Sequence, residues 1–278
     1  MSAEAVALGE FLRARRNVRQ PEEFGLDRGS GRRVPGLRRD EVARLAAISP
    51  EYYLRLEQGR SARPSDQVLN ALAQALGLDA DSRRYLFRLA SGDLPRTVLP
   101  AAESADRIAR VLSQWTHTPA YVSDSNRDII AANPLATVFG HGGLSAGSNV
   151  ALDLFNDRMK STLVEWEPMT LSTLAGLRRD ADPFSPRLKQ IIDELSIDPD
   201  FVRMWERYDV SGPEDAHIHM LVENVGTIEI DVQNFAVRSM PGYLLTVLSA
   251  PPESVTAMVF SDLAASLASA DETPVGSD

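Results

Sequence analysis

The sequence predicts an α+β multidomain protein, an N-terminal all-α five-helix domain followed by a C-terminal α+β domain, and three observations carry that prediction. Apolar residues recur at helical spacing up to about Ala90, whereas period-two alternation with β-branched enrichment dominates only near the end of the chain. The stretch from Ser91 to Pro100 (SGDLPRTVLP) breaks any helical period with one Gly and two Pro. Charge also reverses across it: residues 1–92 hold 16 basic against 12 acidic residues, hence +4, and the remainder 13 against 27, hence −14. Such asymmetry directs the first region, and not the second, toward a polyanion. The 278 residues suit two domains, with expected bounds of 1–92, a linker at 93–103, a second domain at 104–268 and a disordered tail at 269–278.

In the first region, helix one is expected at about Ala5 to Val18, with Leu8, Phe11, Leu12 and Arg15 on one stripe. Pro21, Gly25, Gly29, Gly31 and Pro35 then mark a long loop from Gln20 to Pro35. Helix two is expected from about Arg38 to Ala47, helix three from Pro50 to Gln58, helix four from Ser65 to Leu76 and helix five from Asp81 to Ala90. Ser49 before Pro50 is a strong helix start, because a serine oxygen can accept an orphan backbone N–H and proline is tolerated at the first helical position. Gly59 closes the same helix. On a 100° wheel Tyr53 and Leu56 fall on one side, expected to pack with Val42, Leu45 and Ala46, while Pro50, Glu51, Leu54, Arg55 and Gln58 fall largely on the other. The four residues Ala46 to Ser49 have the length of a turn that sets two helices at a steep angle. A short helix presented in this way fits the DNA major groove.

In the second region a helix at about Ser104 to Trp115 precedes two short strand-like runs within Ala120–Ala132, joined by a polar turn at Ser123–Asp128. Helices are expected at about Val150 to Phe155, Asp157 to Ala175, Pro186 to Leu195 and Pro199 to Tyr208. His217–Val225, Thr227–Val237 and Tyr243–Ser249 read as antiparallel strands. Five strands with helices inserted between the second and third make a domain that can enclose an apolar pocket. Much of its aromatic and methionine supply is core material; Tyr121, Trp166, Met169, Trp205 and Phe235 are the candidates for contact with a small apolar ligand.

Several chemistries lack support. With no cysteine, thiolate catalysis, cysteine-ligated zinc and disulfides are excluded. The four histidines, His117, His141, His217 and His219, accompany no hydrolase, metalloprotease or P-loop pattern, so no catalytic residue, cofactor or enzyme activity is expected. His217 and His219 share a strand face and could bind a metal, but without a third ligand at a telling spacing they read as an ordinary solvated strand end. His141–Asn149 is glycine-rich but lacks a following lysine and reads as a loop. No window is long and apolar enough for a membrane span, and the expected location is cytoplasmic.

The pattern Leu8, Leu12, Arg16, then RRDEVARLAAIS, then YYLRLEQG followed by Pro64 and Ser65 resembles the Xre-type helix-turn-helix family, to which the phage lambda-type repressors belong. The resemblance implies that Arg39, Pro50, Glu51, Arg55 and Gln58 face DNA, with Ser49 and Tyr52 beside them. It implies Arg55 at a guanine edge, Gln58 and Arg39 on phosphates, and Glu57 paired with Arg16. The sequence departs from that family in its long first loop, where Arg28, Arg32 and Arg33 are further phosphate candidates. The order of WTHTPAYVSDSNRDIIAANPLA, helices, VGTIEIDVQNFAV and PGYLLTVLSAPPES looks like the MmyB-type ligand-binding domain, a PAS-like fold. Relatives carry His-Pro before the Val-Gly, where this chain has Val222-Glu223, and a His after the Trp of F-x-x-x-W, where it has Arg207-Tyr208.

Together the resemblances imply a homodimeric regulator on a double-stranded DNA operator, responsive to a fatty acid or similar lipid. A second possibility is a PAS-like domain used only for dimerisation or partner contact. An enzyme fused to a DNA-binding module is a third, for which the acid–base constellation is missing.

Overall fold

A computed structural model of the chain describes residues 2–27, 34–61, 63–91, 102–212, 214–238, 240 and 242–271. Gly29, Gly31, Arg28, Arg32 and Arg33 of the first loop, most of the linker, and the tail from residue 272 lie outside the described residues. The chain divides into two compact units, one made of residues 1–95 with 202–212 and the other of residues 96–201 with 213–278.

The first unit contains α1 (Ala3–Val18), α2 (Arg39–Leu45), α3 (Pro50–Glu57), α4 (Asp66–Ala75) and α5 (Ala80–Ser91), with a 3-10 turn at Pro21–Phe24 inside the long loop. Serine caps set three of these starts: Ser2, Ser49 and Ser65 accept from the N–H of Ala5, Tyr52 and Val68. Leu8, Phe11 and Leu12 of α1 are buried, as are Tyr53, Leu56, Leu72 and Leu86 of the other helices, and the Phe11 and Tyr85 rings meet edge to face at 5.2 Å. Val42 and Ala46 join this core as expected, but Leu45 is 36% exposed. Leu45 is the last residue of the short α2, whose buried positions are Glu41, Val42 and Ala43. Within the same unit Tyr208 Oη donates to Glu10 at 2.9 Å, and Arg15 pairs with Asp209 at 3.5 Å.

The second unit opens with α6 (Ala102–Leu112), β1 (Ala120–Ser123) and β2 (Ile129–Ala132). Six helices follow: α7 (Pro134–Phe139), α8 (Val150–Leu154), α9 (Asp157–Thr162), α10 (Trp166–Asp180), α11 (Pro186–Leu195) and α12 (Pro199–Trp205), the last ending inside the first unit. β3 (Ala216–Val222), β4 (Gly226–Ala236), β5 (Leu244–Ser249) and α13 (Val255–Asp271) complete it. The five strands form one antiparallel sheet in the order β2-β1-β5-β4-β3. Ile218, Met220, Ile228, Ile230, Val232 and Leu248 point to one face, against Leu135, Phe139, Leu154, Met159 and Phe260 from the helices. Val122, Ala131 and Val247 point to the other, where Leu112 and Ile108 of α6 cover them.

Three expectations need correction. The single helix expected over Asp157–Ala175 is broken at Leu163–Glu165, because Leu163 bridges to Met220 and the Val164 N–H donates to His219 O at 2.9 Å along the edge of β3. Pro168, which has no N–H to return to Val164, is accommodated in the first turn of the restarted helix. The disordered tail expected at 269–278 is helical as far as Asp271, the end of α13. α7 was also unforeseen: Asn133, buried, caps it by accepting from Ala136 N at 2.8 Å and donates to the carbonyls of Trp115 and Thr118.

Candidate functional site

α3 is presented as its sequence demands. Ser49 Oγ accepts from Tyr52 N at 3.1 Å, Pro50 occupies the first helical position, and Gly59 ends the segment at a φ of 63°. Ala47, at a φ of 51°, makes the turn out of α2. Tyr53, Leu56 and Glu57 are buried, while Ser49, Pro50, Glu51, Arg55 and Gln58 are exposed and Tyr52 and Leu54 are half-buried. The Arg55 guanidinium lies 5.8 Å from the centre of the Tyr52 ring, so Tyr52 is both a partial cover and a stacking partner for that cation. Exposed Arg38 and Arg60, which the sequence reading did not single out, flank the same elements.

Behind this surface, Glu57 ties three helices together. Its Oε1 accepts from Arg16 Nε and its Oε2 from Arg39 Nε, each at 2.6 Å, while Arg16 Nη1 donates to Leu37 O at 2.9 Å. Burial works against the Glu57 charge, but the hydrogen bonds from Arg16 and Arg39 outweigh it and hold the carboxyl below its usual range. The Arg39 side chain is 49% exposed, so one edge of its guanidinium is occupied by Glu57 while the rest is presented to solvent. Gly9 lets α1 lie on the end of α3, since a Cβ there would stand 2.5 Å from the Glu57 carbonyl oxygen.

In the second unit the helices and the inner sheet face line a cavity of about 70 Å³. Its wall is mostly apolar, with Met159, Met169 and Met220 beside Tyr121 and Phe139. Two charged residues, Asp153 and Arg158, also line it. Burial pushes the Asp153 carboxyl up, partly offset by the nearby Arg158 charge and by the 2.8 Å hydrogen bond from Asn156. Arg158 Nη2 donates to Gly140 O at 3.0 Å. Burial likewise raises the Tyr121 phenol.

Of the ligand candidates, the structure brings Tyr121 and Met169 to this cavity and leaves the other three away from it. Trp166 packs edge to face on Phe155 and spends its indole N–H on Leu154 O at 2.6 Å. Trp205 lies in the segment that belongs to the first unit. Phe235 is 50% exposed, at the odd parity of β4, where even positions from Ile228 to Val232 point inward. Asp153 and Arg158 were missed because no motif marks them; only the packing of α8 and α9 brings both to one wall.

Residues 105–263 match the family described as the MmyB-like transcription regulator ligand binding domain, and residues 7–86 match a helix-turn-helix domain. No curated protein matches the chain. A solved structure described as an RNA-binding Light-Oxygen-Voltage receptor aligns at 8% identity over 84% of this chain, with a TM-score of 0.24. The chain spans 62% of that structure's length, and a similarity this low carries no argument. Among the described residues no helix is long and apolar enough to cross a membrane.

Proposed function

The chain belongs to the MmyB-like transcription regulators, and from that premise we propose that it is a DNA-binding regulator whose second unit senses a small apolar carboxylate, a fatty acid or similar lipid. The observation that carries the ligand reading is the methionine-rich cavity with Arg158 on its wall. An apolar tail gains from burial there, and a carboxylate head beside Arg158 gains a charge-assisted hydrogen bond. At about 70 Å³ the cavity is smaller than the ~150 Å³ that a benzene-sized guest occupies. A long chain therefore enters by displacing side chains, and the three methionines are the ones that re-pack most readily.

On the DNA side, the exposed edge of α3 enters the major groove, with Arg55 on a guanine edge and Gln58 and Arg39 on phosphates. Ser49, Pro50, Glu51 and Tyr52 complete the contact surface. The net +4 of residues 1–92 supports this orientation against the −14 of the remainder. A homodimer on an inverted repeat in the cytoplasm is the arrangement that suits such a reader. Ligand occupancy acts by binding two states unequally, a coupling typically of about 1–3 kcal/mol.

One observation favours a second reading, in which the sheet unit serves dimerisation without a small molecule. An apolar groove of about 440 Å³ runs between α6 and the outer sheet face, lined by Val111, Trp115, Met240 and Leu245 among others. Native mass spectrometry of protein purified from its own host separates the two. A bound lipid mass, together with a mobility shift on its own promoter that organic extract alters, supports the sensor; a dimer with no added mass and an unaltered shift supports the second reading. No shift at any salt concentration would remove the operator reading.

A further inference from the structure

We propose that His217, His219 and Glu229 bind one divalent transition-metal ion of the zinc class, with Asp231 and Glu165 orienting the two imidazoles. Three backbone segments of the second unit bring these side chains together. In the β3–β4 pairing His217 lies opposite Asp231 and His219 opposite Glu229. Opposed residues share a face, and because Ile218, Met220, Ile228 and Ile230 point into the core, the four polar side chains stand on the other side of the sheet. The third segment is Leu163–Glu165, which runs along the edge of β3 and places Glu165 next to His219.

The pattern of contacts inside the cluster points to a cation. Nδ1 of His217 is 2.8 Å from Asp231 Oδ1, and Nδ1 of His219 is 2.8 Å from Glu165 Oε1. A carboxylate at Nδ1 draws the proton of a neutral imidazole to that nitrogen and leaves Nε2 as the lone pair. Both Nε2 atoms are turned to the same carboxylate: that of His217 lies 3.9 Å from Glu229 Oε2 and that of His219 lies 3.9 Å from Glu229 Oε1. The two rings meet edge to face at 5.2 Å.

A separation of 3.9 Å is too long for a hydrogen bond. Two donors each about 2.0–2.2 Å from a tetrahedral ion stand roughly 3.3–3.5 Å apart. As the side chains rest, no three such groups among the described residues meet at coordinating spacing. A movement of roughly half an ångström by Glu229, which is 60% exposed, brings its two oxygens to that spacing from the two Nε2 atoms. Histidines that ligate metals characteristically give their other ring N–H to a carboxylate, which fixes the tautomer and raises the basicity of the ligating nitrogen. Two nitrogens and one carboxylate suit zinc-class ions better than magnesium or calcium, and leave the fourth position to water.

The competing account is a pair of imidazoliums held by three carboxylates, with no metal. Tag-free full-length protein, stripped with chelator, is titrated with zinc chloride by calorimetry, and with cobalt chloride while the visible spectrum is followed. The expected result is one zinc per chain and the visible bands of tetrahedral cobalt. The double variant His217→Gln/His219→Gln is expected to lose roughly 100-fold or more in zinc affinity. Asp231→Asn and Glu165→Gln are expected to lose about 10–100-fold while still binding one ion. Circular dichroism of the metal-free proteins checks the fold, and Glu229→Gln, a change at an exposed side chain, replaces any variant that fails it. Absence of zinc uptake by the wild-type chain would overturn the proposal. So would undiminished uptake by the double variant, which retains His117 and His141.

Discussion

Glu57 on α3 and Arg16 on α1 face each other with Oε1 2.6 Å from Nε, and their side chains are only 0% and 6% exposed. Removing one member of such a pair strands the other, so Glu57→Ala is expected to destabilise the first unit by about 3–5 kcal/mol. Hydrogen exchange of α1 and α3 amides in the full chain measures the loss; protection equal to wild type would show that solvent and the Leu37 carbonyl, which Arg16 also reaches, suffice for Arg16.

The same pair sets an acid limit. The folded Glu57 carboxyl lies below its ordinary value of 4.5, so its contribution is fully present above about pH 4.5 and is lost as pH falls through the lowered folded value. Glu57→Gln is expected to flatten this part of the stability profile of the first unit. An acid transition of unchanged slope in that variant would assign the loss to other carboxylates.

Gly9→Ala places a methyl group 2.5 Å from Glu57 O and 2.8 Å from Leu56 O, both backbone atoms. Since neither can swing away like a side chain, α1 must move off α3, at a cost of about 1–3 kcal/mol. A thermal melt of the first unit unchanged from wild type would mean that the two helices part without penalty.

Arg55→Ala is expected to cost about 1–3 kcal/mol on the specific operator and much less on random DNA. The operator is first recovered by selection from genomic fragments, and both affinities are measured at one salt concentration. Equal losses on the two DNAs would reduce Arg55 to a phosphate contact.

Arg158→Gln tests the head of the proposed ligand. Wild-type protein is expected to prefer a fatty acid to its methyl ester by about tenfold, equivalent to about 1.4 kcal/mol, and the variant to show no such preference. Competition against a fluorescent fatty acid measures both. A preference that survives in Arg158→Gln would place the carboxylate elsewhere in the domain.

How far each of these could be read beforehand follows from how local its cause is. The Ser49 cap, the Pro50 start and the exposed edge of α3 depend on neighbours a few residues apart, and the structure holds them where the wheel puts them. Phe235 does not line the cavity, and strand parity alone assigns it to the outer face. α13 had its own signal in Ser254, whose Oγ caps Ala257 N at 3.1 Å after Pro251 and Pro252. The break at Leu163 had only Pro168 to announce it, because its main cause is hydrogen bonding to a strand 55 residues further on, Val164 N to His219 O.

By itself, then, the sequence determined the two-part α+β architecture, the five-strand count and the outward edge of α3, since periodicity, caps and charge act over short range. Tertiary structure alone decided that Asp153 and Arg158 share one cavity wall. It also decided that Glu165 and Glu229 close on His217 and His219 from two other segments. Such groups become neighbours only when the sheet registers and the helices dock, and neither spacing nor composition encodes that distance.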